Sequence, residues 1–472
     1  MSPGDWTERV AAYYRAPSVR ARIAEYCGGG REAESFSCWR IGGYGGRRRL
    51  QEDEGAPIAL ENAQLDGLLE EGADVCRSLA DRRGTLLLLD VDYVSPLEPG
   101  EPYRHPGRTF ARLEPVYEIL RELFAAYGVK PRILLNGRGY HFTARVPFDS
   151  PFHARLVGVA SVADSVVLKS VQHAPGLESA VLMGLGHDGA GRLLEHLAHR
   201  VLHRLRGRTE VPLTLADVPP PGGGPFICLD LSAYADPVFE RQARCAFSTN
   251  QRAGMQQAAP DRPFVIVLPR GDEPLVELLR QREDPDLSAR AAATADASLS
   301  AATDGAAWIE EYLRSPLGRF HREFDRGPQA PVPAWPFTYD SLETSDWPAC
   351  LRVALDHPNP LLLRPVHLRT LALGLWSMGW HPRSIAGLVR SKYERDHGWG
   401  DLFRRYDAAG RAEFYVRLFC GAAADGLDEA SDFTCETQAR RGVCEPGLCD
   451  GERRRSFAWL SEGLAEKSAR TQ

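Results

Sequence analysis

Asp90 and Asp92 are the residues whose type and spacing most directly indicate chemistry. They follow the apolar run Leu86-Leu-Leu-Leu89, within residues 84–93, a stretch typical of a buried central strand. Residues two apart on a strand share one face, so both carboxylates would project together. Because like charges beside a buried strand repel each other, a divalent cation between them would resolve the conflict. The alternative is a strand that ends at Leu89 and two aspartates solvated in a turn.

A second informative stretch reads Asn136-Gly-Arg-Gly-Tyr-His141. Its two glycines around Arg138 predict a tight turn, and the alternation of residues that follows predicts a strand. Glycine amides, Arg138 and His141 close to one turn are a suitable set for binding phosphate. The alternative is a hairpin with a surface arginine and a histidine that is satisfied by a neighbouring group.

The elements around these residues indicate a common sheet. Apolar residues at helical spacing predict a helix over residues 110–127, and a strand over residues 132–136 follows it. The order strand, helix, strand implies a crossover and neighbouring strands in one sheet. A third apolar strand, Pro225-Phe-Ile-Cys-Leu, ends at Asp230. Three strand-end aspartates beside a turn of glycine, arginine and histidine make two-metal nucleotidyl transfer chemically reasonable.

Composition limits the class of protein. The chain has 472 residues, enough for two or three domains, and a formal net charge of −6, which argues against wholesale coating of nucleic acid. We find no signal peptide and no stretch long enough for a transmembrane helix, so no membrane partner is predicted and the cytoplasm is the expected compartment. In that compartment the ten cysteines indicate metal ligands or free thiols rather than disulfides.

Two further segments are interpreted as solvated or connecting structure. A helix is predicted over residues 191–208, where His196, His199 and His203 recur at helical spacing without an acidic or cysteine partner at a matching offset. We therefore interpret the three histidines as a solvated basic flank. Residues 284–345 are rich in alanine and then in proline, and they predict an interdomain linker with a short helical element.

The last part of the chain contains a cluster of cysteines. Cys435, Cys444 and Cys449 lie within fifteen residues, with Cys420 closer in sequence than Cys350. Such a cluster in a cytosolic chain is more often a metal site than a coincidence, although its spacings do not match a paired CxxC zinc ribbon.

The three aspartate and glycine motifs together resemble those of the archaeo-eukaryotic primase superfamily, above all the small catalytic subunit of DNA primase. Asp90 and Asp92 match its first motif, Arg138-Gly-Tyr-His141 its second and Asp230 its third. The likeness covers about residues 5–283. Two departures are evident: Asn136 stands where the family usually has serine, and the family's cysteine-rich zinc knob is missing between the second and third motifs.

This resemblance implies an α+β catalytic core and a set of site residues. Asp90, Asp92 and Asp230 would be catalytic and would bind Mg²⁺ or Mn²⁺. The residues that the resemblance assigns to binding of the incoming nucleotide are Arg138, His141, Asn136, Arg244 and Ser248. The implied partners are a single-stranded DNA template and nucleoside triphosphates, with proteins of replication or of mobile elements as further expected partners.

The C-terminal region resembles the iron–sulfur domain of the large primase subunit. The likeness rests on Pro348-Ala-Cys350, on His367-Leu-Arg369 and on the segment from Cys435 to Cys449. It implies a [4Fe–4S] cluster with the ligands Cys350, Cys435, Cys444 and Cys449. Cys420 in place of Cys350, and zinc in place of the cluster, are the alternatives.

The expected organisation is a catalytic domain over residues 1–283, a linker over residues 284–345 and a helical iron–sulfur domain over residues 346–472. The expected function is that of a DNA primase or primase-polymerase, a nucleotidyltransferase that starts chains on single-stranded DNA. One alternative is a repair or gap-filling polymerase of the same superfamily that requires a primer. Another is a non-catalytic nucleic-acid-binding protein with a degenerate site, although retention of the three aspartates and His141 argues against it.

Overall fold

The chain combines helices and mixed sheets, and the predicted α+β class is confirmed. A computed structural model describes residues 3–29, 41–44, 58–60, 65–171, 176–251, 264–362, 364–395, 407–427, 433–444, 447 and 449. Within these ranges, no helix combines the length and the apolar character needed to cross a membrane.

The strands that the structure describes are β1 (Ile41–Tyr44), β2 (Ile58–Leu60), β3 (Asp74–Ser78), β4 (Gly84–Val94), β5 (Arg132–Leu135), β6 (Gly139–Pro147), β7 (Leu213–Thr214), β8 (Phe226–Asp230), β9 (Gln242–Arg244), β10 (Thr249–Asn250), β11 (Val265–Ile266) and β12 (Leu268–Pro269). The helices of the first half are α1 (Pro3–Tyr14), α2 (Pro17–Tyr26), α3 (Leu65–Glu70), α4 (Glu101–Arg104), α5 (Pro106–Ala126), α6 (Pro151–Gly158), α7 (Asp164–Val171) and α8 (Leu177–Leu205). Those of the second half are α9 (Leu275–Gln281), α10 (Pro285–Thr294), α11 (Ala306–Arg314), α12 (Pro316–Arg326), α13 (Ala349–Asp356), α14 (Pro358–Leu361), α15 (Pro365–Ser377), α16 (Pro382–Tyr393), α17 (Ala408–Ala424) and α18 (Cys435–Arg440).

Strand β4 lies inside a six-stranded sheet with the order β12-β5-β6-β4-β8-β7. It pairs antiparallel with β6 on one edge and with β8 on the other. Leu86, Leu87, Leu88 and Leu89 are all buried, and helix α8 packs against this strand, so neither face of β4 is open to water here. The continuous leucine run is therefore the signature of a strand covered on both faces.

One topological prediction is wrong. The crossover through α5 does place β4 and β5 in the same sheet, but β6 lies between them. The cause is the tight turn after β5, which folds the chain back so that β6 pairs antiparallel with β5 and then with β4. A Cβ atom at Gly139 would lie 1.7 Å from the Val91 carbonyl oxygen, so this close pairing of β6 with β4 requires glycine there.

Residues 284–345 contain more ordered structure than the predicted linker with a short helical element. They include helices α10, α11 and α12. Trp308 is fully buried, with its ring stacked on Tyr127 at 5.0 Å between centroids and edge-on to Phe124. Because these rings join the core beside the central sheet, the segment is packed onto the part of the chain that precedes it. The division of the chain into three domains stays a prediction.

The interpretation of the α8 histidines as a solvated flank is wrong for two of the three. His196 and His199 are buried, and His203 alone remains partly exposed. The physical reason is long-range: His196 packs edge-on to Tyr312, and Asp425, directly after α17, lies 2.8 Å from His199 Nδ1 and 3.0 Å from His203 Nε2. Helix α8 also begins at Leu177, well before the predicted start.

Candidate active site

Three adjacent strands place His141, Asp90 and Asp230 in one row. In the sheet register, Asp90 on β4 is opposite His141 on β6 and opposite Asp230 on β8. Asp92 lies two residues further along β4, opposite Gly139 and Cys228, and therefore on the same face as Asp90. Strand β4 continues to Val94, and Asp92 is buried, so the alternative of two aspartates in a solvated turn is wrong.

The row concentrates negative charge where water is largely excluded. Burial, followed by the repulsion from Asp90, raises the pKa of the Asp230 carboxyl group, and Asp92 adds to the effect. The backbone N–H of Ser232 opposes this shift by donating to Asp230 Oδ1 at 2.8 Å. Strand pairing thus holds carboxylates together against their electrostatic preference, which is the arrangement that a cation would stabilise.

Two basic side chains contact these carboxylates. Arg138 Nε donates to Asp92 Oδ2 at 2.6 Å, and His141 Nε2 lies 3.3 Å from Asp90 Oδ1. Burial by itself lowers the pKa of His141, but Asp90 and then Asp92 oppose it, and the pKa is raised. A cation bound at the aspartates would therefore compete with Arg138 for Asp92 and with His141 for Asp90.

Asn136 connects the turn to the histidine. Its Oδ1 accepts hydrogen bonds from the Gly137 N–H at 2.7 Å and from Asn250 Nδ2 at 2.8 Å. These two donors fix the amide orientation, so Nδ2 faces His141 Nε2 at 2.9 Å. The same ring nitrogen can accept from Asn136 or donate to Asp90, but not both at once, because it carries at most one proton. Asn136 thus favours the tautomer of His141 with an unprotonated Nε2.

Arg244 and Ser248 lie in a buried network beside this row. Arg244 Nη1 donates to Asp74 Oδ2 at 2.6 Å and to the Thr249 carbonyl oxygen at 3.1 Å. Ser248 Oγ accepts from the Val75 N–H at 2.7 Å and lies fully buried. Both side chains therefore stabilise β3 and the segment after β9, and their predicted contacts with a nucleotide stay predictions. Residues 252–254, also part of the primase-like stretch, lie outside the described residues.

Sequence reasoning missed Arg282. This fully buried residue donates from Nη1 to the carbonyl oxygens of Asn136 at 3.1 Å and Gly137 at 3.2 Å. Its Nη2 reaches the Pro102 carbonyl oxygen at 3.3 Å, so Arg282 joins the turn to helix α4. No local pattern could have indicated it, because Arg282 and Asn136 are 146 positions apart and their contact depends on the fold.

Three cysteines of the C-terminal region influence the thiol of a fourth, Cys350. Burial raises the pKa of the Cys350 thiol, and Cys444, Cys449 and Cys435, in that order, raise it further. The Ala349 N–H also donates to Cys449 Sγ at 3.2 Å. Cys420 is different: it lies in α17 with its thiol 3.9 Å from the Ala372 carbonyl oxygen.

Within the described ranges, no group of three or more His, Cys, Asp or Glu side chains already surrounds a point that a metal ion could occupy. Both predicted metal sites therefore stay predictions. A cavity of about 350 Å³ lies where the segment before β8 meets the C-terminal helices. Its lining includes Arg206, Arg369 and Arg441, and none of the predicted catalytic aspartates.

The comparisons with known proteins add little. No protein-family model and no curated protein matches the chain. A solved structure, the polymerase domain of Mycobacterium tuberculosis ligase D in complex with DNA, matches with a TM-score of 0.31 and 15% sequence identity. The match covers 61% of this chain and 93% of that one. At this TM-score, the likeness assigns neither a fold family nor a function.

Proposed function

We propose that this chain is a template-directed nucleotidyltransferase of the primase or primase-polymerase type, which makes primers on single-stranded DNA from nucleoside triphosphates. The observation that carries the proposal is the register of β6, β4 and β8, in which His141, Asp90 and Asp230 form one row. Arg138, in the turn before β6, donates to Asp92 of β4 through a 2.6 Å hydrogen bond. Carboxylates beside a guanidinium group and an imidazole are the residue types that phosphoryl transfer requires.

The carboxylates fit Mg²⁺ or Mn²⁺. Both are hard cations that prefer oxygen ligands, and Asp90, Asp92 and Asp230 offer oxygen from one sheet face. The raised pKa of Asp230 supports this assignment, since the mutual repulsion that causes it would be relieved by a bound cation. When bound, the ions would lower the pKa of the primer 3′-hydroxyl group and neutralise charge on the triphosphate.

The neighbouring turn would bind the incoming nucleotide. Arg138 is about one third exposed, with a side-chain relative accessibility of 35%, so it can reach a ligand while its Nε faces Asp92. A guanidinium group can bind two phosphate oxygens at once. His141 would donate to the same phosphates, and Asn136, held by Asn250 and the Gly137 N–H, would orient its ring.

We also propose that Cys350, Cys435, Cys444 and Cys449 bind a [4Fe–4S] cluster. Thiolates are the ligands of such clusters, and hydrogen bonds to their sulfur atoms tune them. The electrostatic influence of Cys444, Cys449 and Cys435 on the Cys350 thiol, together with the N–H donated to Cys449, supports this set over one with Cys420. Zinc in the same site is the alternative that metal analysis would reveal.

The experiment is synthesis on unprimed single-stranded DNA with labelled nucleotides and Mg²⁺ or Mn²⁺. We expect short new chains from the wild type and none from Asp90→Asn. Asp149→Asn is the matched control, since Asp149 is an exposed carboxylate outside the row. Extension of an added primer only would replace the proposal by a primer-dependent repair or gap-filling polymerase. No metal-dependent incorporation with any template would exclude both and leave a non-catalytic nucleic-acid-binding protein.

A further inference from the structure

Helix α17 of the C-terminal region reaches the segment that directly follows Asp230. Arg411, in its first turn, places Nη1 3.2 Å from Asp236 Oδ2 and 3.4 Å from Asp236 Oδ1. Both partners are largely withdrawn from water, with side-chain accessibilities of 10% and 9%. Ion pairs screened so little by solvent are sensitive to the loss of one member.

A short chain of contacts leads from Asp236 to the candidate metal ligand. Arg241 Nη2 contacts the Asp236 carboxylate and donates to the Ser232 carbonyl oxygen at 2.8 Å. The N–H of the same serine donates to Asp230 Oδ1 at 2.8 Å. The position of Ser232 therefore affects how the Asp230 carboxylate is oriented, and Arg411 and Arg241 hold that position from the Asp236 side.

The other side of this segment is fixed independently. The Tyr234 hydroxyl group donates to the Leu88 carbonyl oxygen at 3.1 Å and accepts from the Leu88 N–H at 2.9 Å. The Ala233 carbonyl oxygen lies 3.1 Å from His187 Nε2 on helix α8. With these anchors in place, loss of the Arg411 contact would shift the Asp236 end of the segment without unfolding it.

We propose that Arg411 is a positioning residue for the nucleotidyl-transfer site: from the C-terminal region it holds Asp236, and through Arg241 and Ser232 it orients Asp230 toward Asp90. This inference rests on the proposed function of the carboxylate row. It means that the C-terminal region contributes to the arrangement of the proposed site, through a side chain that contacts the segment after the third aspartate.

Arg417 supplies a matched control on the same helix. Its Nη1 donates to Asp188 Oδ1 at 3.1 Å, and its side chain is 4% exposed. Asp188 keeps a second arginine, Arg192, when Arg417 is replaced, just as Asp236 keeps Arg241 when Arg411 is replaced. The two substitutions therefore remove the same charge from the same helix, but only one of them acts on the segment after Asp230.

The experiment measures Mn²⁺ binding to the full-length protein by electron paramagnetic resonance of free Mn²⁺, without nucleotide or DNA. We expect Arg411→Met to raise the Kd for Mn²⁺ about tenfold, because a tenfold change in affinity corresponds to roughly the net free energy of one hydrogen bond. Arg417→Met should leave this Kd unchanged within about twofold. Arg411→Lys, which keeps the charge, should bind Mn²⁺ more tightly than Arg411→Met. In the primer-synthesis assay, Arg411→Met should require more Mn²⁺ for half-maximal rate and approach the wild-type rate at saturation.

The outcomes separate the two proposals. If the wild type does not bind Mn²⁺, or if Asp90→Asn does not weaken its binding, the proposed function is wrong and this inference falls with it. If the wild type binds in an Asp90-dependent way and the Arg411→Met and Arg417→Met proteins have the same Kd, Arg411 is not a positioning residue. If Arg411→Met does not fold, Asp236→Asn removes the same ion pair with little change in volume. In that case, a Kd of the Asp236→Asn protein for Mn²⁺ equal to that of the wild type would overturn the inference.

Discussion

Asp90 lies directly opposite Asp230 across the β4–β8 pair, so two carboxylates face each other on adjacent strands. Like charges in this position destabilise a sheet, and the raised pKa of Asp230 reflects that cost together with burial. A bound cation would offset this repulsion, so the pairing is explained if the site binds a metal ion.

Asp230→Asn should abolish metal-dependent synthesis while making the metal-free protein slightly more stable. The amide oxygen can still accept from the Ser232 N–H, and the repulsion from Asp90 disappears. We expect a gain of up to about 1 kcal/mol in the free energy of unfolding, measured by urea denaturation with EDTA, and a loss of activity on the order of a hundredfold or more. Mn²⁺ should raise the melting temperature of the wild type and not that of the variant. A variant that is less stable with EDTA, and that still gains from Mn²⁺, would contradict the metal site.

Gly139→Ala should unfold or strongly weaken the protein, because its methyl group would lie 1.7 Å from the Val91 carbonyl oxygen. The backbone of β6 or β4 would have to move where the two strands align His141 with Asp90, which should lower the free energy of unfolding by about 3 kcal/mol. Gly107→Ala is the matched control, since a Cβ atom there meets nothing within 4 Å. In the first turn of α5 the alanine should change stability by less than about 1 kcal/mol, in the favourable direction. Equal unfolding free energies for the two variants would refute the close approach of β6 to β4.

His187 should make the protein less stable in mild acid. Burial, the largest cause, lowers its pKa from the usual value near 6.5 to about 4, and Arg241 adds to the effect. Below pH 6.5 the unfolded chain binds a proton that the folded protein excludes, so this stabilisation is present above pH 6.5 and is lost as the pH falls toward 4. Between pH 7 and pH 5 the loss amounts to roughly 2 kcal/mol.

The measurement is denaturant unfolding of the wild type and of His187→Gln at both pH values. Glutamine keeps a donor for the Ala233 carbonyl oxygen but does not titrate. The difference between pH 7 and pH 5 should therefore be smaller in the variant by about the amount that His187 contributes. Parallel pH profiles would mean that His187 titrates normally in the folded protein.

Cys350→Ser should remove the visible absorbance of an iron–sulfur cluster from anaerobically purified protein, and Cys420→Ser should not. The reason is position: the thiols of Cys444, Cys449 and Cys435 influence that of Cys350, whereas the Cys420 thiol contacts the Ala372 carbonyl oxygen. Iron and sulfide analysis checks the cluster, and zinc analysis checks the alternative metal. If Cys350→Ser keeps the cluster and Cys420→Ser loses it, Cys420 rather than Cys350 is the fourth ligand.

Several parts of this site follow from local sequence alone. The leucine run before Asp90, the two glycines around Arg138 and the apolar strand before Asp230 each specify a strand or a turn through short-range sterics and burial. Strand periodicity then puts Asp90 and Asp92 on one face. The three catalytic candidates could be named from these patterns because each depends only on residues close to it in the chain.

Tertiary structure alone decided which elements meet. The place of β6 between β4 and β5, the burial of His199 beside Asp425, and the contact of Arg411 with Asp236 join residues far apart in sequence. No local spacing encodes such pairs, since their free energy depends on which apolar faces pack together and which charges that packing brings out of water. The aspartates of the site are thus evident in the sequence, whereas their register and the residues that hold them are properties of the fold.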